Sequence, residues 1–399
     1  MSQFTARLQS RLQERQTAGL YRRRRTLDCA QQPMVQIRGK ALLSFCSNDY
    51  LGLANHPEVV EAFREGAREY GAGSGASHLV SGHSHPHHAL EEALAEFTGR
   101  SRALLFSSGY MANVGVLTSL LEKGDQVFED RLNHASLLDG GLFSGARFRR
   151  YPHLDTTQLA SMLDTDQPAG LKLVVTDGVF SMDGDVAPLE TLIRQASQND
   201  AVLMMDDAHG FGVLGSRGGG LAQQCADKGC DINEKNLQIL VGTLGKAFGT
   251  AGAFVAGSEA LVETLIQYCR PYIYTTALPP AVAAATLCSL KLLIDESWRR
   301  THLQKLVNVF REACQSLGFI LTDSQTPIQG LILGSAEAAM AASSKLEALG
   351  LLVTAIRPPT VPAGTSRLRI TFSAAHSEAD LARLLDGLSR IAALESGKS

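Results

Sequence analysis

Short, strongly apolar runs separated by longer stretches of helical period dominate the middle of the chain. The runs are ALLF (103–106), QVFED (126–130), LKLVVTD (171–177), AVLMMDD (201–207), LQILVGT (237–243) and GAFVAG (252–257). Runs this short and this apolar fit strands buried on both faces of a mostly parallel sheet. Helical patterns lie between most of them, for example at 86–98 and 188–199, which is the order of a wound α/β domain. Ahead of this region, Phe4, Leu8, Leu12 and Leu20 fall near helical spacing and predict an amphipathic arm in the first 30 residues. VQIRGKALLSF (35–45) predicts two short strands about a turn at Arg38-Gly39-Lys40. Pro279-Pro280 closes the central region, and a helix-rich stretch with Trp298 and Leu303 follows. GLILG, LVTAIR and RLRITF then mix strands with helices in a smaller α+β unit. The expected division is 1–55 (arm and short strands), 56–285 (large domain) and 286–399 (small domain).

Composition narrows the function. A chain of 399 residues with 45% hydrophobic and 19% charged residues folds around substantial cores, which excludes a disordered protein. The net charge of −3 provides no general attraction to nucleic acid or anionic membrane. The run Arg22 to Arg25 reads as a solvated helix end or a local anion site. Seven scattered cysteines without a CxxC pair signal neither a disulfide framework nor a zinc cluster, and fit a reducing compartment. Neither a signal-peptide core nor a stretch of membrane-spanning length occurs, so a cytoplasmic location is expected.

Candidate chemistry collects after the apolar runs. In LVGTLGKAFGTAG a strand stops at Thr243, and a glycine-rich turn presents Lys246 beyond the strand end, where open α/β sheets carry their sites. A partly desolvated lysine there has a lowered pKa and acts as nucleophile and base; the alternative is a surface lysine after a tight turn. AVLMMDDAHGFGVLG ends a strand in Asp206-Asp207, with His209 just after. A carboxylate so placed keeps a pyridinium nitrogen protonated, which makes such a ring an electron sink; a loop-capping aspartate or a metal site is the alternative. LLFSSGYMANVGVL opens a helix after Ser107-Ser108-Gly109-Tyr110, whose N–H groups and dipole suit a phosphate. His134 follows the QVFED strand, placed to stack on a ring or simply to satisfy a loop. TDGVFSMDGDVAPL adds Asp177, Ser181 and Asp183. Two patterns mislead. HSHPHH (His83, His85, His87, His88) looks like a metal site, yet it runs into a helix start and no carboxylate or cysteine pattern completes a ligand set, so no metal is expected. GAGSG (71–75) does not sit between a strand and a helix as a dinucleotide loop does.

Taken in order, SNDYLGL, GSGASHLVSGH, SSGYMAN, DRLNHASLLDG, VFSMDGDVAPL, DDAHGFGVLG, GTLGKAFG and IRPPTVPAGTSRLRITFSAAH resemble the α-oxoamine synthases, from about residue 20 to 385. These are pyridoxal 5′-phosphate (PLP) enzymes of the aspartate-aminotransferase-like fold (PLP fold type I). The resemblance implies a large PLP-binding domain with a mostly parallel seven-stranded sheet, a smaller α+β C-terminal domain, an N-terminal helical arm, and a homodimer with sites at its interface. It implies Lys246 as the Schiff-base lysine, Asp206 at the pyridine nitrogen, His209 at the ring hydroxyl and His134 stacked on the ring. Gly109, Tyr110 and Thr243 are then expected around the phosphate, Ser181 near the ring, and Thr276 at the phosphate of the neighbouring subunit. Asn48 and Arg369 match positions facing the amino-acid carboxylate, while Arg22, His134 and Thr360 match contacts to the acyl substrate or product. AIRPPTVPAGTSRLRI points to members that condense L-alanine with a pimeloyl thioester carried by coenzyme A or an acyl carrier protein, releasing CO2. Relatives acting on glycine or serine, or a catalytically silent binding protein of the same fold, are the alternatives. Two departures are mild: Asp177 stands where relatives usually have Glu, and Tyr110 where some have Phe.

Overall fold

The computed structural model describes residues 2–165 and 170–396. An N-terminal helix, α1 (Gln3–Thr17), precedes a hairpin of β1 (Met34–Ile37) and β2 (Lys40–Ser44) that turns at Arg38-Gly39. The body then runs α2 (Pro57–Tyr70), α3 (His85–Thr98), β3 (Arg102–Phe106), α4 (Gly109–Leu120), β4 (Gln126–Asp130), α5 (Ala135–Phe143), β5 (Arg147–Tyr151), α6 (Thr156–Thr165) and β6 (Lys172–Asp177). It continues through α7 (Leu189–Gln198), β7 (Ala201–Asp206), α8 (Gly220–Ala226), β8 (Ile239–Thr243), β9 (Ala253–Gly257), α9 (Glu259–Tyr268), α10 (Arg270–Ile273) and α11 (Pro280–Asp295). The C-terminal part holds α12 (Trp298–Ser316), β10 (Ile320–Leu321), β11 (Ile328–Gly334), α13 (Ala336–Ala348), β12 (Leu351–Leu352), β13 (Thr354–Ile356), β14 (Ser366–Thr371) and α14 (Glu378–Ser396).

The central sheet has seven strands in the order β3-β9-β8-β7-β6-β4-β5, all parallel except β9. Alternate residues of each inner strand enter two different cores: Leu173 and Val175 of β6 join one, and Val174 the other. That two-sided burial is why these strands read as mostly apolar runs, β4 with its buried Gln126, Glu129 and Asp130 apart. One strand escapes the pattern. RFRRY (147–151) forms β5 at the sheet edge, where only one neighbour pairs with it and three arginines are tolerated, a composition that discourages edge-to-edge pairing. Because β9 alone runs backwards, β3, β4, β6, β7 and β8 all present their carboxyl ends to one edge of the sheet.

The C-terminal part folds around a four-stranded antiparallel sheet, β10-β11-β14-β13. The N-terminal hairpin belongs with it: β2 pairs in parallel with β12 through Leu43 and Leu351, and Thr371 N–H donates to the Phe45 carbonyl. The expected division at residue 285 passes through α11, which packs on α2 so closely that a Cβ on Gly66 would lie 3.0 Å from Ala281. The helical arm is shorter than the pattern implied, and its Phe4, Leu8 and Leu12 stay exposed. Among the described residues no helix is long and apolar enough to cross a membrane.

Candidate active site

The motif residues meet at the carboxyl edge of the central sheet. Lys246 sits in the turn after β8. That turn is pinned from behind, since Gly249 has φ +70° and any Cβ there would lie 2.4 Å from the Ala54 nitrogen. Only glycine permits both the left-handed angle and so close an approach. Burial lowers the Lys246 amine to about 8; Asp206, Asp177 and Asp207 oppose that change, and Arg369 adds to it. An amine held near neutrality shuttles protons at physiological pH, as a surface lysine does not.

Asp206 and Asp207, adjacent in sequence, have separate tasks. The Asp207 side chain turns into a nest of glycines, where its Oδ2 accepts from the Leu221 N–H at 2.5 Å and a Cβ on Gly210 would overlap it. Asp206 faces the site, accepting from the Ala208 N–H at 3.0 Å and from the Asn113 amide at 2.6 Å. The same Asn113 amide nitrogen donates to Ser136 Oγ at 2.9 Å, and Ser136 Oγ lies 2.7 Å from His134 Nδ1. Since Ser136 N–H also points at that Nδ1, the pattern puts the His134 ring proton on Nε2. Partial burial lowers the His134 pKa, Asp206 opposing this and Lys246 reinforcing it. The ring is therefore neutral at physiological pH. Asp177 anchors the loop by accepting from the His134 backbone N–H at 2.7 Å. Burial raises its carboxyl well above the usual range, and the nearby Asp206 charge raises it further.

A second constellation comes from the N-terminal segment and the small domain. His209 is fully enclosed and its Nδ1 lies 2.5 Å from the Tyr50 hydroxyl. Burial drives the Tyr50 pKa up to about 12 and the His209 pKa well down, so a neutral phenol meets a neutral imidazole, with Asn48 Oδ1 a second partner for the phenol at 3.4 Å. Arg369 reaches Asn48 Oδ1 at 3.3 Å and the Ser181 carbonyl at 2.7 Å. Asn48, Tyr50, Ser181, His209 and Arg369 thus converge, and Arg369 acts electrostatically on both His209 and Lys246. Tyr50, Asn113 and Ser136 were not singled out from sequence. All three lie inside the motifs that carry the resemblance, but a neutral side chain that orients another residue carries no local signal of its own.

The strand end at Thr243 and the start of α4 complete the edge. Ser108 caps α4 by accepting from the Met111 N–H, which leaves the N–H groups of Gly109 and Tyr110 at the head of a twelve-residue helix. A Cβ on Gly109 would meet nothing within 4 Å, so there is open space beside those donors. Thr243 Oγ1 donates to the Gly252 carbonyl. Thr276 is exposed; its segment pairs with Ser77 and its carbonyl faces Ser107. Arg22 and Thr360 do not join this group. Together with Arg23, Arg25, Arg357 and Cys46 they line a separate cleft of about 610 Å³ between the arm and the small domain.

A half-buried clamp holds two of the site loops together. His153 lies between Asp130 at 2.9 Å and Asp185 at 2.6 Å, joining the loop after β4, which carries His134, to the loop after β6, which carries Ser181. Burial alone would lower its pKa, but the hydrogen bonds to both aspartates outweigh that and raise it to about 9. A histidine whose folded pKa exceeds its unfolded value of ~6.5 stabilises fully below that pH and loses its contribution as pH rises through the folded value. His153→Asn is expected to cost up to roughly 3 kcal/mol at pH 6. The difference from wild type should shrink toward zero by pH 10 in urea unfolding followed across that range; a gap independent of pH would exclude the clamp.

The edge fits pyridoxal phosphate on the structure's own terms. An amine lowered by burial faces the carboxylates, a helix N-terminus with open space beside Gly109 suits the phosphate, and Asp206 and His209 are aimed at the same space by dedicated partners.

Residues 40–388 match the family of class I and II aminotransferases. The 8-amino-7-oxononanoate synthase of Pseudomonas putida is 60% identical over 381 residues, 96% of each chain. That of Stutzerimonas stutzeri is 60% identical over 391 residues, 98% of each. Among solved structures, a serine palmitoyltransferase from S. paucimobilis bound to a PLP–myriocin aldimine superposes with a TM-score of 0.90 at 30% identity, covering 98% of both chains. The 8-amino-7-oxononanoate synthase of Francisella tularensis gives 0.77 at 33% identity, over 89% of this chain and 99% of that one.

Proposed function

This chain belongs to the class I and II aminotransferase family and, within it, to the 8-amino-7-oxononanoate synthases, and from that premise we propose how its residues divide the work. It is a PLP-dependent acyltransferase of biotin biosynthesis that condenses L-alanine with a pimeloyl thioester, giving 8-amino-7-oxononanoate, CO2 and the free thiol. Bound PLP supplies an electron sink for negative charge at the amino-acid Cα.

The protein's own groups handle the protons and the orientation. Lys246 binds the cofactor and takes and returns the Cα proton, a task suited to an amine near 8. Asp206 holds a proton on the pyridine nitrogen, with Asn113 fixing its carboxylate. His209 pairs with the ring hydroxyl, its ring held in place by Tyr50. His134, braced by Ser136, covers the ring face and orients the acyl group. The amides of Gly109 and Tyr110, with Thr243, receive the phosphate, and Ser181 borders the ring. Arg369 and Asn48 orient the alanine carboxylate, for which a guanidinium fork offers two parallel hydrogen bonds.

The observation that carries this reading is the shared hydrogen-bond chain from Asp206 through Asn113 and Ser136 to His134, which ties the ring-nitrogen partner to the ring-stacking imidazole. The arginine-lined cleft holding Arg22 and Thr360 suits the anionic acyl donor; both the phosphates of coenzyme A and an acidic acyl carrier protein offer what Arg22, Arg23, Arg25 and Arg357 bind. The exposed Thr276 supports a homodimer in which it reaches the partner's phosphate site, and the seven free cysteines suit the cytoplasm. The test is the mass of the product formed from alanine and a pimeloyl thioester presented on each carrier. Formation of 8-amino-7-oxononanoate is expected; turnover with glycine or serine in preference to alanine would overturn the substrate assignment.

A further inference from the structure

Histidines gather a second time, where a single π-helical turn (His78–Gly82) runs into α3, among residues given no part in the reaction. Their ring nitrogens are not equivalent. His87 is fully committed: its Nδ1 accepts from the Ser84 N–H at 3.1 Å and its Nε2 faces the Leu278 carbonyl at 2.5 Å. His83 is not. Its Nδ1 lies 2.9 Å from Nδ1 of His78, and a proton carried by His83 on that contact leaves its Nε2 with a bare lone pair, 3.9 Å from Oε2 of Glu91. Glu91 uses its other oxygen to accept from the Leu105 N–H at 3.0 Å. His88, three residues before Glu91 on α3, faces the same side of the helix. Ligand atoms of His83, His88 and Glu91 all lie within 4.8 Å of one another. The exposed His88 ring, whose Nε2 now lies 3.4 Å from Glu92 Oε1, turns from that contact when the three ligands draw in to bonds of ~2.0–2.2 Å around one ion.

We propose that His83, His88 and Glu91 bind a divalent transition-metal ion of the zinc class at a site separate from the cofactor. Two imidazoles and one carboxylate are a common ligand set for such ions, with water completing the coordination. A cavity of about 300 Å³ bordered by all three leaves room for that water. His78 is then the positioning residue, its Nδ1 accepting from His83 as outer partners of metal-bound imidazoles do. The protonation states are already favourable: burial lowers the His83 pKa, keeping it neutral, and raises the Glu91 carboxyl to about 7, leaving a buried acid that gains from a cation. HSHPHH alone reads against a metal because it lacks a carboxylate; the helix supplies one from Glu91. The ion joins the π turn to α3, and Ser77, next to that turn, pairs with Thr276, so occupancy steadies the Thr276 segment as well.

The test uses the PLP-loaded enzyme, stripped with a chelator and titrated with Zn2+ by calorimetry and with Co2+ by its visible absorption. One ion per chain is expected, with a rise in Tm on adding Zn2+ and no change in cofactor absorbance. His88→Ala, at an exposed position that leaves folding intact, and Glu91→Gln are each expected to weaken binding at least ~10-fold and to remove the Tm rise. No stoichiometric binding by the wild type overturns the site, as does binding of unchanged strength in His88→Ala and Glu91→Gln, which assigns the ion to other groups.

Discussion

Replacing Lys246 by alanine is expected to leave a folded protein that makes no product and carries no covalently attached cofactor. The argument rests on what the side chain does and on what its removal spares. The turn bearing Lys246 is held by its neighbours, Ala247 and Phe248, which are buried, and by Gly249 against Leu53 and Ala54, none of which the substitution touches. Taking out an amine that sits in a desolvated site removes a cost of folding rather than a support, so Tm should change little or rise. Catalysis loses two things at once. A positioned acid–base group contributes ~10²- to 10⁴-fold, and this one is also the cofactor's covalent anchor, so turnover should fall by at least that range. Borohydride reduction followed by peptide mass spectrometry should find the cofactor's mass on residue 246 of the wild type and nowhere in the variant. A variant within tenfold of wild-type turnover would remove Lys246 from the reaction.

The inner strands of the central sheet were legible because burial on both faces favours apolar residues at successive positions, although β4 also buries Gln126, Glu129 and Asp130. β5 was illegible for the complementary reason: at an edge, RFRRY obeys no such constraint. The pairing of β2 with β12 joins residues about three hundred positions apart, and nothing local in either segment names the other. The site divides along the same line. Lys246, Asp206 and His209 stand out because a charged or titratable group directly after an apolar strand needs a reason to be there. Tyr50, Asn113 and Ser136 stand out only once the fold has brought them to 2.5–2.9 Å from His209, Ser136 and His134. Arg22 and Thr360 met each other, but in a cleft of their own.

Geometry across the domain boundary explains why a C-terminal arginine matters to a site built on the large sheet. Arg367 pairs with Asp183, Thr322 Oγ1 donates to the Asp183 carbonyl at 2.8 Å, and Ser324 Oγ donates to that of Gly184 at 2.9 Å. The loop after β6 is thereby fastened to the segment between β10 and β11 and to β14, so that Arg369, two residues along β14 from Arg367, arrives beside Ser181 and Asn48. The groups proposed to read the carboxylate of alanine and the cofactor ring therefore come from different parts of the chain in one fixed arrangement.

That separation makes the effect of Asp206→Ala specific. In the proposed arrangement the carboxylate is the partner for the ring nitrogen, and without it the cofactor's capacity to accept negative charge would fall when the Cα proton leaves. Loss of one buried, preorganised electrostatic group of this kind costs ~10²- to 10³-fold in kcat. The KM for alanine should change little, because Arg369 and Asn48 are untouched and Arg369 keeps its own anchors at Ser181 and Thr371. Attachment at Lys246 should survive, seen by the same reductive trapping, with the cofactor's visible band shifted. Stability should fall by about 1–3 kcal/mol, since the Asn113 amide, now donating to Asp206 at 2.6 Å, would be left buried with one hydrogen unpaired. Asn113→Ala separates the two effects: it leaves the charge in place while freeing its orientation, so kcat should drop by about tenfold, less than in Asp206→Ala. Equal losses in the two variants would mean that the carboxylate acts only by supporting the fold, and the Asp206 assignment would fail.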